Sequence, residues 1–286
     1  MSAVGPGQLR ARQRPLLILS IAGVRAASAL CLAWPLASLV AASGIGARTQ
    51  GDRALFEPGG YLLLEVVRLQ GPALLAAARG LLPLLGMGLL LSALCNAGLL
   101  LGLNQSERIR ASELTARALR VAPRLLLLGA GASLLQIVLG LIGAALAGTV
   151  PEPLAKPLAA TLGQVAVWLA IGILVGAVGG LADVARASLI RHEVPLPQAL
   201  AHASQLAWRR PALSCFGWLP YAFPLALSFA LAARIAEACD VSQAGAWRVA
   251  LVFVVHQLVI VIAVALRAAW YARALRLTAS ETLRQS

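Results

Sequence analysis

Five polar residues in this sequence lie inside long apolar stretches, and their side chains are the first candidates for chemistry: His256, Gln257, Asn96, Gln136 and Gln164. A polar group is costly in an apolar environment, and such groups often belong to a functional site. An imidazole at such a position could also change its charge near neutral pH. The alternative is that each side chain forms a hydrogen bond between helices, which contributes about 0.6–2 kcal/mol. His256 is the strongest functional candidate of the five.

Motifs that would indicate an enzyme do not occur in the sequence. It has no HExxH, GxSxG, Walker A or GxGxxG pattern, and its carboxylates are scattered. The three histidines are not paired at a spacing that would hold a metal ion, and the four cysteines form no CxxC pair. An intramembrane enzyme needs a nucleophile with a base, or clustered ligands, buried together. We therefore predict no enzymatic activity, no metal and no cofactor.

The composition places these polar residues in membrane-spanning helices. Of the 286 residues, 60% are hydrophobic and 12% are charged, and the mean hydropathy is +0.83. The apolar residues form runs of about 20, the length that crosses a hydrocarbon core of about 30 Å as a helix. The net charge is +13, which on a soluble protein would suggest nucleic acid. Here the arginines gather at the ends of apolar runs, so we expect anionic lipid headgroups as partners and no nucleic acid.

The pattern predicts an all-α, polytopic bundle in a single integral-membrane domain, residues 1–286. About six transmembrane helices are expected, at about 15–42, 73–103, 124–148, 158–181, 211–233 and 247–272. A short apolar segment at 61–70 ends at Gly71-Pro72, before the second span. In the fifth span, Pro220 and Pro224 are expected to free backbone carbonyls within the helix. Such carbonyls can mark a hinge or a permeation path, although prolines are also frequent in membrane helices without such a role.

The distribution of charge predicts the orientation. If the N-terminus is cytoplasmic, the inner side carries 17 basic and 5 acidic residues, and the outer side carries 7 and 6. This bias follows the positive-inside rule, so both termini are predicted to face the cytoplasm. The membrane is predicted to be the cell inner membrane.

Two basic segments between spans, 104–124 and 182–211, are predicted to be cytoplasmic amphipathic helices that lie in the headgroup layer. Each is expected to turn into the next span at a proline, Pro123 or Pro211. Their arginines would contact phosphates of the headgroups: Arg110, Arg117, Arg120, Arg124, Arg209 and Arg210. With the spans on either side, the two segments form a repeated unit of the kind found in transporters, although other membrane proteins also contain such repeats.

Small residues at every fourth position indicate close helix packing. The fourth span carries Gly172, Gly176 and Gly180, and the third carries Gly140, Ala144 and Gly148. Such spacing removes side chains from one helix face and lets a neighbour approach. The two helices are predicted to pack on each other within the bundle, or else to form a dimer face.

Charges near the ends of the spans are expected to have structural roles. Asp183 and Arg186 lie three residues apart and can pair along one helix. Arg267, like other arginines near span ends, is expected to extend its side chain toward the headgroups.

The segments LADVARASLI (181–190) and ALAHASQLAWRRP (199–211), with the six spans and two interfacial segments, resemble those of poorly characterised bacterial six-helix membrane proteins. The pattern is also similar to that of the membrane domain that accompanies some glycerophosphodiester phosphodiesterases. The resemblance implies an inner-membrane helical bundle. It does not imply phosphodiesterase activity, because this chain contains no such catalytic domain.

The function expected from these observations is that of a non-enzymatic membrane subunit or scaffold in a transport or envelope assembly, with a protein partner in that complex. The alternative is a permease or exporter of a small or lipid-like solute, which the repeated unit and the prolines of the fifth span would favour.

Overall fold

The computed structural model describes residues 11, 14–42, 61–105, 110–149, 157–239 and 246–285, and every regular element among them is a helix. In chain order the helices are α1 (Pro15–Ala42), α2 (Tyr61–Leu103), α3 (Ala111–Thr149), α4 (Pro157–His192), α5 (Leu196–Arg209), α6 (Pro211–Ser214), α7 (Leu219–Cys239) and α8 (Ala246–Gln285). The protein is therefore an all-helical bundle, as the composition predicts.

Five stretches of these helices are long and apolar enough to cross a membrane: Gly86–Leu103, Ala111–Thr149, Leu162–His192, Pro211–Cys239 and Ala250–Ala279. The described apolar part of α1, Pro15–Cys31, is shorter. Large apolar side chains along the long helices point outward, for example Leu141, Leu169 and Phe223. An apolar outer surface of this extent belongs in lipid, so the protein is a multi-pass membrane protein.

Two predicted interruptions are absent. Helix α2 is continuous across Gly71-Pro72, so the segment at 61–70 belongs to the same helix as the second span. Helix α3 is continuous across Pro123, so no separate interfacial helix precedes the third span in the described part of this region. At 39 residues, α3 is about 58 Å long and exceeds the hydrocarbon thickness of about 30 Å. Its basic first turns therefore extend the helix beyond the apolar region.

The predicted fifth span contains a break that the sequence analysis did not locate. Residues 215–218 separate the single turn α6 from α7. Pro220 explains the position of the break, because the proline ring would clash with the carbonyl of residue 216 in a continuous helix. That carbonyl instead accepts the N–H of Leu219 at 3.0 Å, and the carbonyl of Trp218 accepts the N–H of Tyr221 at 2.9 Å. Pro224, in contrast, lies inside α7.

The chain divides into two compact units whose borders fall inside helices α1, α2, α7 and α8. Unit 1 comprises residues 1–15, 96–223 and 266–286, and unit 2 comprises 16–95 and 224–265. The predicted single domain stays a prediction.

Helices α3 and α4 of unit 1 pack as an antiparallel pair with contacts at seven-residue intervals on α3. Gly143 faces Ile171, Gln136 faces Val175 and Gly179, and Gly129 faces Arg186. Residue numbers rise along α3 as they fall along α4, which fixes the antiparallel arrangement. A seven-residue repeat keeps one helix face in continuous contact with a neighbour. Small residues on α3 at two of the three positions allow the close approach.

Helix α4 ends because Pro195 disfavours helical geometry at the residue before it. Glu193 adopts a left-handed conformation with φ 53°, the usual way for a chain to leave a helix. Helix α5 then begins after Pro195. Ala199, Ala203 and Leu206 bury one face of α5, while Trp208 on another face is 89% exposed.

Candidate functional site

The most concentrated set of charges among the described residues surrounds Asp183 of α4, whose side chain is buried in unit 1. Its Oδ1 accepts hydrogen bonds from the guanidinium groups of Arg186 and Arg267, the latter at 2.7 Å. Its Oδ2 accepts the indole N–H of Trp270 at 2.9 Å. A carboxylate with this many donors is held in one orientation. We call these four residues, together with Tyr271, the Asp183 cluster.

Tyr271 connects the cluster to a third helix. Its hydroxyl accepts a hydrogen bond from Arg267 Nη2 at 3.0 Å and donates one to Asn96 Oδ1 of α2 at 3.3 Å. The guanidinium carbon of Arg267 lies 4.7 Å from the centre of the Tyr271 ring, a cation–π contact. Tyr271 and Trp270 are almost completely buried. Residues from α2, α4 and α8 therefore share one polar network.

The helix sequences explain why these groups meet. In α4 an apolar run precedes Asp183, and in α8 an apolar run precedes Arg267. Nearby, Arg191 Nη1 at the end of α4 donates to Asn104 Oδ1 just after α2, at 2.9 Å. The C-terminal parts of α2, α4 and α8 thus lie together in unit 1. This is the arrangement expected if the second, fourth and sixth predicted spans run in the same direction.

Part of this cluster could be predicted from the sequence. The pairing of Asp183 with Arg186 within α4 is confirmed. Arg267 was expected to reach toward headgroups, but its guanidinium turns to Asp183. The residues 183 and 267 are 84 positions apart, and no spacing rule connects them. One feature of the sequence could have predicted the pair. Each of the two charged residues follows a long apolar run, and the two spans are predicted to run in the same direction.

A second close contact in unit 1 lies beside the cluster and is made by Trp218, in the break before α7. A Cβ added at Gly176 would come within 2.1 Å of the Trp218 ring. A Cβ at Gly180 would come within 2.6 Å of the Cys215 carbonyl oxygen. The indole N–H of Trp218 donates to that same oxygen at 2.7 Å. We call the surface formed by these two glycines the Trp218 groove.

Trp270 links this groove to the Asp183 cluster. A Cβ at Gly217 would come within 2.9 Å of the Trp270 ring and 2.2 Å of the Leu213 carbonyl oxygen. Arg273 Nη1 donates to the Gly217 carbonyl at 3.3 Å. Glycine at position 217 is therefore required by the close approach of the backbone, and the non-helical segment is anchored by side chains of α8.

The predicted packing of α3 against α4 is present, but the predicted small residues do not make the contact. A Cβ at Gly140, Gly148 or Gly172 would meet no atom within 4 Å, and Ala144 is exposed. Gly176 and Gly180 are close-packing residues, but their neighbour is the segment containing Trp218. The α3–α4 contact uses Gly129, Gln136 and Gly143 instead, a set seven residues apart rather than four. The alternative of a dimer face stays a prediction.

The predicted intramembrane polar residues make different local contacts. The His256 Nδ1 lies 2.7 Å from the Val252 carbonyl of its own helix, and its side chain is exposed. Gln136 donates a hydrogen bond to the Val175 carbonyl of the neighbouring helix at 3.0 Å. This is the interhelical hydrogen bond that was given as the alternative to a functional role. Asn96 belongs to the Tyr271 network. Gln164 and Gln257 are half-buried.

We expect Gln136→Leu to reduce the free energy of unfolding by about 0.6–1.7 kcal/mol, the range for one hydrogen bond between membrane helices. Leucine removes the donor that reaches Val175. The measurement is a titration with sodium dodecyl sulfate in mixed micelles, followed by circular dichroism. Gln164→Leu is the matched control on α4, and an equal loss in both variants would show that the Val175 bond is not the cause.

The arginines predicted to contact headgroups are accessible. Arg110, Arg120, Arg124 and Arg209 are exposed, and Arg117 and Arg210 are half-buried. Arg117 also pairs with Glu113 one turn earlier on α3. Within the described part of unit 1 there are 13 arginines and 4 acidic residues. This unit therefore presents an excess of positive charge.

No group of three or more His, Cys, Asp or Glu side chains that could hold a metal ion occurs among the described residues. The chain matches no protein-family model, no curated protein and no solved structure.

Proposed function

We propose that the protein is a non-enzymatic, multi-pass protein of the cell inner membrane, acting as a membrane subunit or scaffold in a transport or envelope assembly. The proposal rests mainly on one observation: the intramembrane polar groups form hydrogen bonds within the protein. His256 Nδ1 lies beside a carbonyl of its own helix, Gln136 donates to a neighbouring helix, and Asp183 accepts hydrogen bonds from three side chains. A permease or an intramembrane enzyme would require such groups to converge on a substrate.

The proposed topology has six spans, with α1 as the first and both termini in the cytoplasm. It is supported by the positive-inside bias of the sequence. It is also supported by the common location of the C-terminal parts of α2, α4 and α8 in unit 1. The 13 arginines of the described part of this unit would then face the anionic cytoplasmic leaflet.

Helix α5 is proposed to lie along the cytoplasmic headgroup layer. Its buried face is made of Ala199, Ala203 and Leu206. On a different face, Leu200 and Trp208 are exposed apolar side chains, and Arg209 follows directly. Tryptophan prefers the membrane–water interface, and arginine prefers the phosphate layer. The basic first turns of α3 are proposed to contact the same layer or a cytoplasmic protein partner.

A permease or exporter of a small or lipid-like solute is the second candidate. The specific observation in its favour is the non-helical segment at 215–218, placed between two apolar helical pieces. Broken helices of this kind form binding sites in many transporters. In this chain, however, the segment is packed against Gly176 and Gly180 and is bonded to Arg273.

The test is purification of the tagged full chain from its native membranes in mild detergent, with mass spectrometry of what remains bound. We expect a protein partner in stoichiometric amount. The partner should be lost from the double variant Arg120→Glu/Arg124→Glu, because both exposed arginines belong to the proposed cytoplasmic surface. It should be kept by Arg234→Glu, an exposed arginine on the proposed outer side.

A chain that comes out without a protein partner and carries a lipid or small molecule would contradict the subunit proposal. In that case alanine at His256, Asn96, Gln136 and Gln164 should abolish transport of that molecule. If the subunit proposal holds, the same four changes should leave the partner bound.

A further inference from the structure

We propose that Arg186 and Arg267 of the Asp183 cluster form a binding site for a phosphate group, on either an anionic lipid headgroup or a soluble phosphate. This proposal does not depend on whether the protein is a subunit or a permease. It assigns a ligand to residues that the sequence analysis treated as structural.

The cluster contains more positive than negative charge. Two guanidinium groups share a single carboxylate oxygen, Asp183 Oδ1. The other oxygen, Oδ2, is used by the indole of Trp270. Among the described residues this network contains no second carboxylate, so the cluster keeps one net positive charge. Two arginines held together in this way can both donate hydrogen bonds to one phosphate group.

Both arginines keep guanidinium N–H donors that no described residue accepts. All of the hydrogen bonds of Arg267 to described residues come from Nη2, which leaves Nη1 and Nε. Arg186 uses Nη1 for Asp183, which leaves Nη2 and Nε. None of these four nitrogens is fully buried without a partner, so each keeps some accessible surface. A planar guanidinium with unused, accessible N–H groups matches the geometry of a phosphate.

The two arginines are held in place before any ligand binds. The side chain of Arg186 is 13% exposed and rests on Gly129 of α3, while Arg267, at 37%, stacks on the buried Tyr271 ring. Receptors that are already ordered lose less conformational entropy on binding. The arginines also follow the apolar runs of α4 and α8. At that level of a membrane helix the phosphate layer begins.

The test uses the full chain, purified and delipidated in a mild maltoside detergent, with native mass spectrometry and calorimetry. One arm titrates phosphatidylglycerol against phosphatidylcholine, and the other titrates inorganic phosphate. We expect preferential binding of phosphatidylglycerol, of inorganic phosphate, or of both. Binding of the lipid alone assigns the site to a headgroup, and competition by inorganic phosphate assigns it to the phosphate itself.

Arg186→Gln and Arg267→Gln should each lower the affinity for the lipid or the phosphate by about tenfold or more, the effect of losing a charge-assisted hydrogen bond. Arg234→Gln, which removes an exposed arginine of unit 2, is the matched control and should change nothing. Arg267→Lys keeps the positive charge beside Asp183 but lacks the planar fork, so it should fold and still weaken binding. Size-exclusion chromatography verifies that each variant is folded.

Equal binding by wild type, Arg186→Gln and Arg267→Lys would overturn the proposal. If Arg234→Gln lowered the affinity as much as Arg186→Gln, the proposal would also be overturned, because the effect would then come from the overall positive charge of the protein.

Discussion

Replacing Asp183 by alanine is expected to reduce the free energy of unfolding by about 3–5 kcal/mol, the cost of breaking a buried ion pair by removing one partner. The carboxylate is 2% exposed and is the shared acceptor of Arg186, Arg267 and Trp270. Without it, two guanidinium groups face each other and the Trp270 N–H loses its acceptor. A large part of the loss therefore comes from the groups left behind rather than from the contact that is removed.

Asp183→Asn should have a smaller effect than alanine, because the amide oxygen can still accept hydrogen bonds but no longer balances the arginines. Both variants would be measured by titration with sodium dodecyl sulfate in mixed micelles. The matched control is Glu237→Ala on α7. Glu237 pairs with Arg234 at the same three-residue spacing, but both side chains are more than two-thirds exposed. An exposed pair contributes about 0–1 kcal/mol.

The outcome that would contradict this interpretation is an Asp183→Ala protein with the stability of Glu237→Ala. The cluster would then contribute no more than an exposed ion pair, despite its burial. Results near the expected range would instead identify the cluster as a principal link between α2, α4 and α8 in unit 1.

The helical class of the fold could be predicted because apolar runs of membrane length have few alternative structures. The prolines were harder to interpret, since the same residue type acts differently in different positions. Pro123 lies inside the continuous α3, and Pro224 lies inside α7. Pro220 lies in the first turn of α7, and in a continuous helix its ring would clash with the carbonyl of residue 216, inside the break at 215–218. The chain around Pro220 also offers Gly217, which tolerates the close approach of Trp270.

The long-range contacts of the candidate site could not be predicted, because sequence spacing constrains only residues on the same element. The Asp183–Arg186 pair follows from the helical repeat, and it is present. The partner Arg267 and the interhelical Trp270 bond depend on which helices are neighbours. The same limit applies to the small residues of α4. Their spacing correctly indicates a close neighbour at Gly176 and Gly180, but the neighbour is Trp218 rather than the predicted face of α3.

Gly176→Ala is expected to reduce the free energy of unfolding by about 1–3 kcal/mol, the usual cost of overpacking a well-filled contact. The new methyl group would overlap the Trp218 ring, with distances of 2.1 Å and 2.8 Å to two of its carbons. The indole has little freedom to move away, because its N–H is bonded to the Cys215 carbonyl. Gly180→Ala should act in the same direction, since its Cβ would meet the Cys215 and Ser214 carbonyl oxygens.

Gly172→Ala provides the matched control, because it makes the same chemical change one turn earlier on α4, where a Cβ would meet nothing within 4 Å. Alanine has the better helix propensity, by about 1 kcal/mol in a helix interior. Gly172→Ala should therefore leave stability unchanged or raise it slightly, while Gly176→Ala lowers it. The difference between the two variants isolates the contact with Trp218 from the intrinsic effect of replacing glycine. If both variants unfold at the same detergent fraction, Trp218 does not occupy the groove in the membrane-embedded protein. A selective loss in Gly176→Ala would instead establish that the non-helical segment at 215–218 is held against α4, so that movement of this segment must first withdraw the indole from the groove.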